Sequence, residues 1–182
     1  MTLHITIDRP REVVFDYLAD IANHPEFTDH YLTQWRLTRV ESKGRGAGAR
    51  FHADAPLNRF SWGDLNFSEV DPPYRLVAVG SGGKFNRIKL FQSWTLTPAA
   101  GGGTRVEFVA ETEPALPTDR FVESVTGFRR WFRRGSNKAL RRLRDILEEN
   151  RDRGARYRSS EIVATSRGFC GDFRCSSSGR FW

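Results

Sequence analysis

Residues 118–150 read TDRFVESVTGFRRWFRRGSNKALRRLRDILEEN, and the spacing of apolar side chains in this stretch decides the fold. Phe121, Val125, Phe128, Phe132, Ala139, Leu143 and Ile146 recur mostly at intervals of three and four, which places them on one stripe of an α-helix. Thr118-Asp119 suits a helix cap, and the period predicts a helix running to about Asn150. At 1.5 Å per residue, a helix of that extent is about 45 Å long. Such a stripe is buried by lying along a sheet.

The rest of the chain supplies that sheet. Leu3, Ile5 and Ile7 alternate, so residues 2–8 are expected to form a strand. Pro10 suits the first turn of a helix over residues 10–21, whose stripe is Val13, Val14, Tyr17, Leu18 and Ile21. Asn23-His24-Pro25 breaks it, and a second short helix or turn follows. Strand-like alternation then recurs over 32–42, 49–55, 74–80, 86–97 and 104–113, and also between Phe60 and Phe67, punctuated by Gly- and Pro-rich turns. Phe60 and Trp62 share one phase, and Leu65 and Phe67 the other. A bulge near Gly63 is expected to bring all four to one face. The expected architecture is α+β: a curved antiparallel sheet of about seven strands around a long C-terminal helix, with two short helices after the first strand. Residues 1–150 are expected to be one domain. Residues 151–182, rich in Arg, Ser and Gly and without a period, are expected to be a disordered tail.

Charge divides the 182-residue chain in the same way. Residues 1–117 hold 13 basic and 14 acidic residues, a net of −1; residues 118–182 hold 16 and 8, a net of +8, which together give the +7 of the whole. A near-neutral body argues against a whole-domain nucleic-acid binder. No run of 18 apolar residues occurs, and the first residues alternate rather than forming a signal peptide, so a cytoplasmic protein is expected. The only cysteines, Cys170 and Cys175, stand without a nearby histidine, and no H-E-x-x-H or C-x-x-C occurs. Neither a metal nor a cofactor is expected.

Several motifs resemble one family. Ile7-Asp8-Arg9-Pro10-Arg11-Glu12-Val13-Val14-Phe15-Asp16-Tyr17-Leu18-Ala19-Asp20 is similar to the opening of the polyketide cyclase/dehydrase group of the START-related, helix-grip superfamily (SRPBCC). Asn23-His24-Pro25-Glu26-Phe27 resembles the group's N-x-P-x-W turn, with Phe in place of Trp. Glu69-Val70-Asp71-Pro72-Pro73-Tyr74-Arg75-Leu76 resembles its E-x-D-P-P-x-R-L hairpin. Trp94-Thr95-Leu96 with Gly102-Gly103-Thr104-Arg105-Val106 resembles its last hairpin. The resemblance covers about residues 2–150. It implies a helix-grip fold whose cavity, between sheet and C-terminal helix, takes a lipid, a polyketide or another apolar molecule. These motifs build scaffold, and folds of this kind host many activities.

The inward phases nominate the cavity walls. Trp62, Leu65 and Phe67 come from the middle of the sheet; Leu90, Gln92 and Trp94 from the longest strand; Phe108 from the last strand; and Phe128 and Phe132 from the helix. Gln92 stands out as an amide among apolar neighbours, which requires a partner in the fold or in a ligand. His24 is expected near a cavity mouth, His52 on the solvent face, and Asp54 and Asp64 as an exposed pair flanking a strand connection. No acid, base and oxyanion donor converge, so turnover is not assigned. Three readings stand: a binder of a small hydrophobic ligand; a polyketide cyclase or dehydratase that shapes a flexible chain; or an interaction module. The last would use Arg129, Arg130, Arg133, Arg134, Lys138, Arg141 and Arg142 to meet an anionic membrane surface or an acidic protein.

Overall fold

In the computed structural model, residues 1–55, 62–114, 127–151 and Gly154 are described. The strands are β1 (Thr2–Ile7), β2 (Leu32–Leu37), β3 (Gly48–Ala53), β4 (Trp62–Asp71), β5 (Arg75–Gly82), β6 (Ile88–Pro98) and β7 (Thr104–Pro114). They form one antiparallel sheet in the order β1-β7-β6-β5-β4-β3-β2. The first strand therefore closes onto the last, and β2 forms the opposite edge. The helices are α1 (Arg11–Leu18), α2 (His24–Thr28) and α3 (Phe128–Glu149), with a 3-10 turn at Ile21–Asn23 between the first two. The α+β architecture, the single sheet and the paired short helices match the sequence reading.

Burial follows the two periods. Ile7, Leu76, Leu96, Val106 and Phe108 come from the sheet; Val14, Leu18 and Phe27 from the short helices; and Leu140, Leu143 and Ile146 from α3, all essentially without exposure. The buried part of α3 is its C-terminal half, which is held in three ways. Arg9 donates from Nε to the Leu147 carbonyl (2.8 Å) and from Nη2 to the Glu148 carbonyl (2.9 Å), supplying donors where the helix runs out of them. Arg142 is buried and ion-paired with Asp29, just past α2. Gly135 lies so near Tyr31 that a Cβ there would stand 2.6 Å from the ring, so only glycine admits the approach.

Several local expectations change. The described helix starts at Phe128, after Gly127 in the left-handed region (φ 67°), rather than at Thr118-Asp119. The expected cap, together with Phe121 and Val125, lies outside the described residues, as do Phe60, both cysteines and nearly all of the tail. Pro10, expected in the first turn, occupies the cap position of α1, which begins at Arg11. β2 ends at Leu37, with an irregularity between Thr33 and Arg36. β4 keeps its register through Gly63, and its bulge falls between Phe67 and Glu69. Arg142 leaves the basic face expected for it and points inward, because Asp29 offers a carboxylate there.

Leu143 and Phe128 distinguish the two halves of α3. Leu143→Ala should cost about 2–5 kcal/mol, as a fully buried leucine does. Phe128 is only half-buried, so Phe128→Ala should cost less than about 2 kcal/mol. Urea unfolding measures both, and an equal loss would show that the helix is seated along its whole length.

Candidate ligand cavity

At its N-terminal end α3 does not close onto the sheet. Phe128 and Phe132, half-buried, face Leu32, Phe51, Leu65, Leu90, Gln92 and Ala110 across an apolar cavity of about 90 Å³. Gly63 belongs to its wall. A Cβ at that position would lie 2.9 Å from the Phe51 ring and 3.3 Å from a Leu90 methyl. Trp62, on the opposite phase of β4 and 39% exposed, reaches only the rim, where its ring meets that of His52 at 5.2 Å. With the bulge absent from Gly63, Trp62 does not turn inward as expected.

A second, smaller space of about 10 Å³ lies deeper, bordered by His24, Tyr31, Trp94, Phe108, Ser136 and Leu140 among others. Leu32, Leu65 and Gln92 border both spaces. Gln92 thus stands at the junction of the two, half-buried, and its amide has no hydrogen bond to the described residues. Of the nine sequence-nominated residues, Leu65, Leu90, Gln92, Phe128, Phe132 and, at the rim, Trp62 border the outer space. Trp94 and Phe108 border the inner one. Phe67 borders neither; it is core, with its ring 5.9 Å from that of His24.

The polar groups around the inner space are mostly committed. His24 is buried rather than at a mouth. Its Nε2–H donates to the Leu18 carbonyl (2.9 Å), and four aromatic rings surround it. Burial pushes its pKa down, with the Leu18 bond and Asp20 opposing. Thr28 donates to the His24 carbonyl (2.6 Å). Burial raises the Tyr31 phenol to about 12, and its hydroxyl stands 3.5 Å from that of Ser136. Trp94 is 4% exposed, and its indole Nε1–H has no partner among the described residues. Asp54 and Asp64 do not meet: Asp54 pairs with His52 (2.9 Å), and Asp64 takes two hydrogen bonds from Arg50 (2.7 and 3.0 Å). Among the described residues no cluster of His, Cys, Asp or Glu has the makings of a metal site.

Sequence reasoning missed Leu32, Phe51, Tyr31 and Ser136 as wall residues. Phe51 had the signal, since its inward phase was legible from Ala53. Ser136 did not, because it read as a break in a basic run.

Two histidines also fix a pH dependence. Burial holds the pKa of His24 below its ordinary 6.5. For His30, which hydrogen-bonds the Gly135 carbonyl (3.0 Å), burial does the same, helped by Lys138 and Arg142. The unfolded chain therefore binds protons below about pH 6.5 that the folded chain refuses. Stability should be full above pH 6.5 and fall as the pH drops below it, with a slope of at most ~1.4 kcal/mol per pH unit for each histidine. His24→Gln, which cannot titrate, should flatten that slope in melts between pH 7.5 and 5. An unchanged slope would mean that His24 does not contribute.

Comparison with known proteins agrees with this fold. Residues 1–148 match the family model described as polyketide cyclase / dehydrase and lipid transport. A protein from Thermus thermophilus has a similar structure, with a TM-score of 0.62 at 16% identity, over 81% of this chain and 95% of that one. Truncated norcoclaurine synthase from Thalictrum flavum is similar with a TM-score of 0.61 at 11% identity, over 82% and 92%. A Chromobacterium violaceum protein is similar with a TM-score of 0.56 at 17% identity, over 81% and 96%. Among curated proteins, none matches the sequence.

Proposed function

Since the chain belongs to the polyketide cyclase/dehydrase and lipid transport family, we propose that it binds a small hydrophobic molecule between the sheet and the N-terminal half of α3. The observation that carries this reading is the gap itself. Phe128 and Phe132 stand off from Leu65, Leu90 and Ala110, leaving about 90 Å³ of apolar space where the same helix is tightly packed farther along. Packed interiors keep few such voids. A ligand pocket is typically apolar with a few polar groups, and Gln92, Glu111 and Thr112 are the polar residues on this wall. At about 90 Å³ the space is smaller than the ~150 Å³ of an engineered cavity that takes benzene, so it seats part of a ring system whose remainder lies at the open rim beside Trp62.

Titration with the neutral dye N-phenyl-1-naphthylamine tests the reading. Saturable fluorescence enhancement is expected. Ala110→Phe, which fills the space, should weaken binding at least ~10-fold, about 1.4 kcal/mol, without lowering the melting temperature. Gln92→Leu should leave melting level or raise it, because the amide has no protein partner among the described residues to lose. Absence of binding by the unaltered protein, or binding insensitive to Ala110→Phe, would remove the support for a ligand cavity here.

A second reading concerns the outer side of the same helix. Arg129, Arg130, Arg133, Arg134, Lys138 and Arg141 are exposed, and Arg129 and Arg133 directly follow the cavity residues Phe128 and Phe132. This juxtaposition supports docking on an anionic membrane, which would bring the cavity to a source of apolar molecules. Vesicles with 30% phosphatidylserine should co-sediment the protein, and neutral vesicles should not. Arg129→Glu with Arg133→Glu should abolish the difference, whereas equal retention on both vesicles would contradict docking through charge.

A further inference from the structure

Resting on the ligand reading above, we infer that the bound molecule carries a neutral hydrogen-bond acceptor oxygen and enters oxygen first, with Trp94 Nε1–H and the Gln92 amide receiving that oxygen in the inner space. Trp94 is buried at the centre of the sheet, and its indole N–H is without a partner among the described residues. A buried donor left unpaired is costly, and native proteins rarely keep one without a solvent or ligand partner. The indole borders the inner space, whose volume of about 10 Å³ has room for roughly one oxygen atom or one water. Gln92 borders that space and the outer cavity, so a molecule lying in the outer cavity reaches the inner space by passing the amide.

The surroundings specify the chemistry of the leading group. The donors of His24 and Thr28 are used on the carbonyls of Leu18 and His24. The hydroxyls of Tyr31 and Ser136 share one contact in which only one of them donates, so the donors in search of an acceptor are Trp94 Nε1–H, the amide and one of these hydroxyls. Of these, the indole is the buried N–H without a partner among the described residues. Among the described residues no lysine or arginine lines the inner space, and burial disfavours the charged form of His24 there. A carboxylate would thus be buried without a counter-charge, which is strongly unfavourable. A ketone, aldehyde or ester oxygen needs only the hydrogen bond. The ligand class is an apolar ring system ending in a carbonyl.

A matched pair of probes tests this: 2-acetylnaphthalene and 2-ethylnaphthalene, nearly equal in shape, each displacing N-phenyl-1-naphthylamine. In the unaltered protein, the indole ¹H resonance of Trp94 should move downfield with the ketone and not with the hydrocarbon. Trp94→Phe, which keeps a ring and removes the N–H, should weaken the ketone about fivefold relative to the hydrocarbon. A Trp94 resonance indifferent to the ketone would overturn the inference and assign the inner space to a resident water. Equal weakening of both probes by Trp94→Phe would also overturn it, as an effect of shape alone. If neither probe displaces the dye while the dye itself binds at the site blocked by Ala110→Phe, the cavity reading stands and the oxygen-first inference fails. If the dye does not bind at all, both fail.

Discussion

The structure depends on the way one end of a long helix is seated. At its C-terminal half, α3 buries Leu140, Leu143 and Ile146, accepts the Arg9 guanidinium on its last carbonyls, and ties Arg142 to Asp29. Close contact of Gly135 with Tyr31 sets how near the helix comes to the short helices and β2. The buried stripe, the Arg9 hydrogen bonds and the Arg142 ion pair are confined to the C-terminal half of the helix. Phe128 and Phe132 face a gap rather than a packed surface. Cavity and core are consequences of one placement, and dense packing at one end leaves room at the other.

Charge is distributed in keeping with that placement. Among the described residues of α3, the one buried arginine, Arg142, has a carboxylate partner; Arg144 is half-buried beside Asp145, and the other cations are exposed. A buried cation without Asp29 would oppose the seating of the helix. The glycine that interrupts the basic run in sequence is where α3 lies directly against the Tyr31 ring. Its neighbour Ser136 is buried against Tyr31. None of the described helices is long and apolar enough to cross a membrane.

Much of this was legible in the sequence, because two periods dominate the chain. Alternation along β6 identified Leu90, Gln92 and Trp94 as one face, and the spacing of three and four identified Leu143 and Ile146 as the seated stripe. What was not legible depends on tertiary placement. Period alone gave Phe128 and Leu143 the same status, although one borders empty space and the other is core. A bulge is a choice between adjacent positions that differ little in local chemistry. It fell after Phe67 rather than at Gly63, which left Trp62 on the rim. Arg142 could be told from Arg141 only by knowing where Asp29 lies. His24 read as a turn residue because nothing local reveals that four rings close over it.

The central claim is that the gap under the N-terminal half of α3 is a ligand site and the packed region under its C-terminal half is not. Intermolecular nuclear Overhauser effects between bound N-phenyl-1-naphthylamine and assigned methyl groups report on this most directly. The account predicts contacts to the methyls of Leu32, Leu65 and Leu90, with none to Leu143 or Ile146. Contacts confined to exposed methyls such as those of Val13 and Val40, or reaching Leu143 and Ile146, would contradict it.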